Sequence, residues 1–229
     1  MNVYALQTAR MGSKSVLNKN TLKIKGKPLW LYNAENTIAC NSINKTWIST
    51  DIPEIIKKWP WVIKRPENLC GDKASHYDTI LHGLNYIEAF HKQTVDVLVI
   101  LLGNNNGADA FDIEMSIDML RNDPKASSVM SVGKYNMFNP FRAYKKTNKY
   151  ANTYVDQKVT KNSTKSNHND KNAYGDVYFF NGSFWICRRE AIIKNNGLLP
   201  FPWLGKNILM YEQNPQIMEV DAEWQLALL

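Results

Sequence analysis

Short apolar runs alternate along the chain with longer stretches in which apolar residues recur at three- and four-residue spacing. Residues 3–6 are the first run and predict a buried strand that opens a sheet. Lys25-Gly26-Lys27 reads as a turn. Pro28 then suits the first position of a helix reaching about residue 40, with Leu29, Leu31, Tyr32, Ala34, Ile38 and Ala39 on its buried side. Residues 45–50 predict a strand ending at Asp51, and 53–58 a short helix. A helix over 75–91 places Tyr77, Ile80, Leu81, Leu84 and Ile87 on one face, with Ser75 and Asp78 as a capping pair. Residues 95–102 are the most apolar run and predict a central strand buried on both faces, closed by the loop Gly103-Asn104-Asn105-Asn106-Gly107. A helix over 109–121, strands over 127–132 and 176–187, a helix over 189–194, a strand over 206–211 and a terminal helix complete the pattern. Strand and helix in alternation predict a three-layer α/β/α domain around a mostly parallel sheet, with ligands held at the carboxyl edge of the strands.

One segment breaks this rhythm. Residues 145–175 are rich in Lys, Asn, Thr and Tyr and poor in aliphatics, which fits a disordered excursion. The strand-like content of 141–144 and 150–155 fits equally well an extended arm that orders against a partner subunit. The expected organisation is a nucleotide-binding core, 1–133 and 176–229, with an arm over 134–175.

Composition narrows the class. At 229 residues and 44% apolar content the chain suits one globular domain with a real core. A net charge of +7 favours an anionic partner, but the lysines are scattered rather than striped, so no nucleic-acid partner is expected. Cys40, Cys70 and Cys187 suit neither a disulfide framework nor zinc spacing and fit a reducing cytosol. Polar residues interrupt the chain from Gln7 onward and no apolar run reaches membrane length, so neither a leader nor a membrane partner is expected, and the expected place is the cytoplasm.

The chemistry concentrates after the first strand. Arg10, Lys14 and Lys19 lie in a loop with Gly12, Ser13, Ser15, Asn18 and Asn20. A strand ending in a Gly-containing loop dense in cations and N–H donors is suited to a polyphosphate. It is neither a Walker A loop, because Gln7 stands where the first glycine is needed, nor a G-x-G-x-x-G fingerprint. Glu219 and Asp221 alternate on a strand-like segment, so both carboxylates point to one side; they are candidate ligands for a divalent cation or solvated charges ahead of a helix. His76, His82 and His91 are expected to face solvent, and Trp59, Trp61 and Trp203 to pack.

The loop Ala9-Arg10-x-Gly12-Ser13-Lys14, followed by Lys19-Asn20, resembles that of the sugar-acid cytidylyltransferases, which make CMP-sialic acid and its relatives. Further stretches are similar to the same family in order and approximate spacing: Gly26-Lys27-Pro28-Leu29, Ser49-Thr50-Asp51, Arg65-Pro66, Asp72-Lys73-Ala74-Ser75, Pro140-Phe141-Arg142-Ala143, Asn181-Gly182-Ser183 and Glu219-Val220-Asp221. The resemblance implies a nucleotide-diphospho-sugar transferase fold, a homodimer joined by the arm, Mg²⁺ as cofactor, and CTP and a 2-keto sugar acid as substrates. It implies catalytic roles for Arg10, Lys14 and Lys19 on the triphosphate. Gly12, Ser13, Asn20, Arg65, Ser75 and Asn104 would meet the nucleotide, Asn181, Trp185 and His168 the sugar, and Asp221 and Glu219 the metal. The chain departs from the family at Glu219, usually Asp, and at Asn104, usually the Gln of a Q-P-T-S-P loop. It departs also at Trp185, usually Tyr, and at His168, where an Arg contributed across the dimer meets the sugar carboxylate. These departures keep two other readings open: transfer to a sugar or polyol phosphate, and a nucleotide-binding relative without catalysis.

Overall fold

The computed structural model describes all residues except 14, 72, 166 and 229. Lys14, which the family resemblance places on the triphosphate, therefore lies outside the described residues. In chain order the elements are β1 (Val3–Ala9), β2 (Lys23–Ile24), β3 (Lys27–Pro28), α1 (Leu29–Ile38), β4 (Lys45–Thr50), α2 (Pro53–Lys58), β5 (Val62–Lys64), α3 (His76–His91) and β6 (Val97–Leu102). There follow α4 (Ala110–Asn122), β7 (Ser128–Lys134), β8 (Tyr144–Thr147), β9 (Tyr150–Thr153), α5 (Gln157–Asn162), β10 (Tyr178–Arg188), α6 (Arg189–Lys194) and β11 (Ile208–Glu212).

Seven strands form the central sheet in the order β11-β7-β10-β6-β1-β4-β5. The side-chain period of two assigns β1 to both faces. Val3 and Ala5 pack with Ile113, Ile117 and Leu120 of α4, while Tyr4 and Leu6 pack with Ile80, Leu84 and Ile87 of α3. Ala9, on the first of these faces, joins Trp30 of α1 and Ile55 of α2. The sheet thus lies between α1, α2 and α4 on one side and α3 and α6 on the other, a three-layer α/β/α arrangement.

Four differences from the sequence pattern have physical causes. β10 runs antiparallel to both β6 and β7. The arm leaves from the end of β7 and returns beside it, pairing Tyr178 with Lys134, so the returning strand must run the other way. In α1 the buried residues include Trp30, Asn33, Ala34 and Thr37, whereas Ile38 is 67% exposed. Two polar members of that stripe are satisfied inside: Asn33 bonds Leu102 O and Ala108 N, both at 3.1 Å, and Thr37 meets Thr46 at 2.7 Å. β5 is only three residues long and carries no alternation by which to be read. The terminal helix is a 3₁₀ segment, Glu223–Leu228. The arm contains the β8–β9 hairpin and α5, and its neck is closed by Lys134 on Asp176 at 2.7 Å.

One ion pair ties three elements. Arg189, at the start of α6, donates to both oxygens of Glu88 in α3 at 2.7 and 3.1 Å, and Val95 N donates to the same carboxylate at 2.9 Å. Burial pushes the Glu88 carboxyl up, but these donors more than offset it and leave it below its ordinary value. A depressed carboxylate stabilises the fold above its unfolded pKa and loses that contribution as pH falls through the folded value. Glu88→Gln is expected to cost about 1–2 kcal/mol in urea unfolding near neutrality, and the difference from wild type should disappear in acid.

Candidate functional site

The strand order reverses around β1, which lies between β4 and β6. At this crevice the carboxyl ends of β1 and β6 lie side by side, Thr8 opposite Leu102. Gly103 permits the close approach. A Cβ there would stand 2.8 Å from the Ala9 Cβ and 3.0 Å from the Asn20 Oδ1. Asn20, so admitted, donates to Arg10 O at 2.8 Å and folds the loop after β1 back on itself. Asp51 holds the same loop from β4 by accepting from Met11 N at 2.8 Å. Gly12 turns it with φ +79° in open space, and Val16 anchors it against Leu29 and Val220.

The resulting cleft, about 370 Å³, is lined by the cations Arg10, Lys19 and Arg65. Arg10 donates to Cys70 O at 3.3 Å. Arg65 is buried and donates to Ser49 O at 2.8 Å; burial draws its guanidinium below the ordinary value against the pull of Asp51. Lys19 Nζ lies 2.5 Å from Asp221 Oδ1.

Carboxylates line the same cleft. Val220 is fully buried, so the alternation brings Glu219 and Asp221 both to the cleft. Burial first, and then Asp221, pushes the Glu219 carboxyl up, with Lys19 and a hydrogen bond from Asn104 pulling the other way. Two neighbouring oxygen donors, one of them disfavoured as a bare anion, suit a hard divalent cation. Among the described residues no group of three or more His, Cys, Asp or Glu is arranged for a metal. The remaining ligands would have to come from substrate oxygens and water, as is usual for Mg²⁺.

The far end of the cleft is aromatic. Along β10, five steps from Phe180 to Trp185 match only two on β7, from Val132 to Met130, and this bulge places both rings on the same face. They stack with centroids 4.0 Å apart, and Phe201 closes on Trp185 at 5.1 Å. The Trp185 Nε1 is buried without a hydrogen-bond partner.

His76 also lines the cleft, contrary to the solvent-facing expectation. As the first residue of α3, behind the Ser75 cap, it sits where the helix meets the sheet edge rather than on the helix's outer face. Its Nε2 lies 3.0 Å from the Thr8 hydroxyl and its ring 5.7 Å from Trp185. His91 Nε2 is likewise shut from solvent, because the rings of Trp47 and Phe90 pack against the imidazole, and His82 Nδ1 is buried as well. Burial and then Arg65 push the His76 imidazole down to about 4. The unfolded chain takes up this proton near pH 6.5, so stability is whole above that value and declines as pH falls toward about 4. His76→Gln is expected to remove about 1–3 kcal/mol of the wild-type loss across that window, measured by urea titrations at several pH values.

Of the residues singled out from sequence, the structure brings together Arg10, Lys19, Asn20, Arg65, Asn104, Trp185, Glu219 and Asp221. Ser75 is the cap of α3, accepting from Asp78 N at 3.4 Å. Asn181 is buried, accepting from Ser131 Oγ at 2.7 Å and donating to Gln213 at 2.8 Å, which fixes the bulge. Gly12 and Ser13 lie in the loop but outside the cleft lining. His168 lies in the arm's own cleft with Arg142, Lys161 and Tyr174. Thr8, His76, Phe180 and Phe201 line the site without having been singled out for it. The placement of His76 directly after a capping Ser at a sheet edge was the available signal.

Cations and a carboxylate pair meet at the point where the order of an α/β sheet reverses, the place where open sheets of this class hold their ligands. The family model described as cytidylyltransferase matches residues 5–194, and the chain belongs to that family. N-acylneuraminate cytidylyltransferase A of Danio rerio is 26% identical over 235 residues, which take in 99% of this chain and 50% of that protein. N-acylneuraminate cytidylyltransferase of Escherichia coli O18:K1:H7 is 34% identical over 87 residues, 36% of this chain and 21% of that one. The chain thus spans half the length or less of these curated relatives. A solved structure of CMP:2-keto-3-deoxy-manno-octonic acid synthetase complexed with CTP superposes with TM-score 0.67 at 18% identity, covering 99% of this chain and 96% of the other. The 4-diphosphocytidyl-2C-methyl-D-erythritol synthase of Anaerococcus prevotii gives 0.62 at 12%, covering 99% and 95%. These two likenesses are of fold. No helix among the described residues is long and apolar enough to cross a membrane.

Proposed function

We propose that this chain transfers CMP from CTP to a 2-keto sugar acid of the sialic, legionaminic, pseudaminic or Kdo kind, releasing pyrophosphate. The observation that carries the reading is the convergence of Arg10, Lys19 and Arg65 with Glu219 and Asp221 on one cleft. In such a transfer the anomeric oxygen of the acceptor bonds to the α-phosphorus as the bond to the β-phosphate oxygen breaks. The protein's task is to place reactants and neutralise charge. Arg10, Lys14 and Lys19 are assigned to the triphosphate, with Gly12 and Ser13 letting the backbone approach. Arg65, Asn20, Ser75 and Asn104 are assigned to the nucleotide side. Glu219 and Asp221 would hold Mg²⁺, which supplies charge neutralisation on phosphate oxygens.

The aromatic wall of Phe180, Trp185 and Phe201 is assigned to the acceptor, since flat rings pack against sugar C–H faces and Trp185 retains an N–H to donate. Asn181 acts on this wall through the bulge it fixes. We assign the arm to pairing two subunits, which would bring His168 of one protomer toward the other's cleft. Three free cysteines suit a chain working in a reducing cytoplasm.

The test is pyrophosphate release from CTP and Mg²⁺ with a panel of 2-keto sugar acids, and with a sugar phosphate and a polyol phosphate in parallel. Turnover confined to the acids is expected. Turnover confined to the phosphates would transfer the reading to the other acceptor class, for which Arg142 and Lys161 in the arm cleft are the available cations. Silence across the panel would leave a nucleotide-binding relative.

A further inference from the structure

Lys19 and Asp221 hold each other although the reaction needs them apart. Lys19 Nζ lies 2.5 Å from Asp221 Oδ1, and the Lys19 side chain is the more enclosed of the two, 19% exposed against 53%. Asp221 is fixed from other directions as well. Asn104 Nδ2 donates to the same Oδ1 and to Val220 O, each at 3.3 Å, and Val220 N donates to Asn104 O at 2.8 Å. Gln225 Oε1 accepts from Asp221 N and Ala222 N, both at 2.6 Å. The main chain of Asp221 is therefore held in place, with a further bond from Asn104 to its carboxylate, and the longer lysine side chain has the greater reach to move off.

We propose that this pair is a latch that makes triphosphate and divalent cation bind as a unit, an inference that rests on the assignment of the cleft to CTP and Mg²⁺. While Lys19 neutralises Asp221 it is withheld from phosphate, and Asp221 offers less negative charge to a cation. A cation seated on Glu219 and Asp221 repels the ammonium and frees it for phosphate. A triphosphate that draws Lys19 off leaves the two carboxylates uncompensated and attractive to a cation. By linkage each ligand must raise the affinity of the other by the same factor. Part of that factor comes from the latch, beyond direct bridging of metal and phosphate.

Removing either half should therefore improve binding of the ligand that the other half was withheld from. Mn²⁺ affinity in the absence of nucleotide is read by electron paramagnetic resonance, and CTP affinity with and without the metal by calorimetry. Lys19→Met is expected to bind Mn²⁺ alone at least about fivefold more tightly than wild type. Asp221→Ala is expected to bind metal-free CTP several-fold more tightly, with a smaller further gain on adding Mn²⁺ than wild type shows. Circular dichroism melting of both variants confirms that they fold. Unchanged or weaker Mn²⁺ binding by Lys19→Met, in a chain whose wild type binds CTP with Mn²⁺, overturns the latch and leaves the functional reading standing. Wild type that binds no CTP with or without metal overturns both.

Discussion

Lys19→Ala is expected to lower kcat/KM for CTP by about 10²–10³-fold while the chain stays folded. The ammonium lines the cleft in contact with Asp221 of the carboxylate pair. A positive charge brought onto phosphoryl oxygens in a partly enclosed site contributes about 3–4 kcal/mol to the transition state, which converts to that factor. The fold has little to lose, because a single exposed ion pair is worth about 0–1 kcal/mol. Steady-state pyrophosphate release beside a thermal melt separates the two. A loss below about tenfold would remove Lys19 from the triphosphate.

The second large effect is expected at a residue with no side chain of its own. Gly182 sits at the centre of the β10 bulge with φ +80°, and a Cβ there would stand 2.6 Å from the Glu219 Cβ and 3.1 Å from its backbone nitrogen. Gly182→Ala must therefore push back the segment that carries both carboxylates, because the contact is with main chain and a Cβ rather than a flexible tip. The left-handed conformation alone costs an alanine about 1–2 kcal/mol. The predicted outcome is a stability loss of about that size and a fall in kcat of at least about tenfold. The Mg²⁺ concentration needed for half-maximal rate should rise, since the carboxylates move while the cations do not. An unchanged metal requirement would show that Glu219 and Asp221 do not meet the cation.

What the sequence disclosed follows from how local each signal is. The strands of 45–50 and 97–102, the helices of 53–58 and 189–194 and the capped helix after Ser75 each carry their own pattern within a few residues. The cationic loop and the Glu219–Asp221 alternation are equally local, and the cleft indeed gathers Arg10, Lys19, Glu219 and Asp221. The direction of β10 was hidden because it depends on where the arm returns. The buried face of α1 was misjudged because Asn33 and Thr37 satisfy themselves through partners on other elements. Phe180 and Trp185 stand an odd number of residues apart, so alternation assigns them to opposite faces until the bulge is known. His76 depends on an element boundary accurate to one residue.

The neck of the arm has a practical corollary. Lys134 and Asp176 lie in salt-bridge contact, and Tyr135 N and Val177 O pair at 2.8 Å, so the intervening excursion begins and ends at nearly one point. Such an insertion is a cassette. Its two ends already lie side by side, and a chain in which a tight turn joins them is expected to keep the strand order of the sheet. A core so trimmed would allow the chemistry of the cleft to be studied apart from whatever the arm contributes.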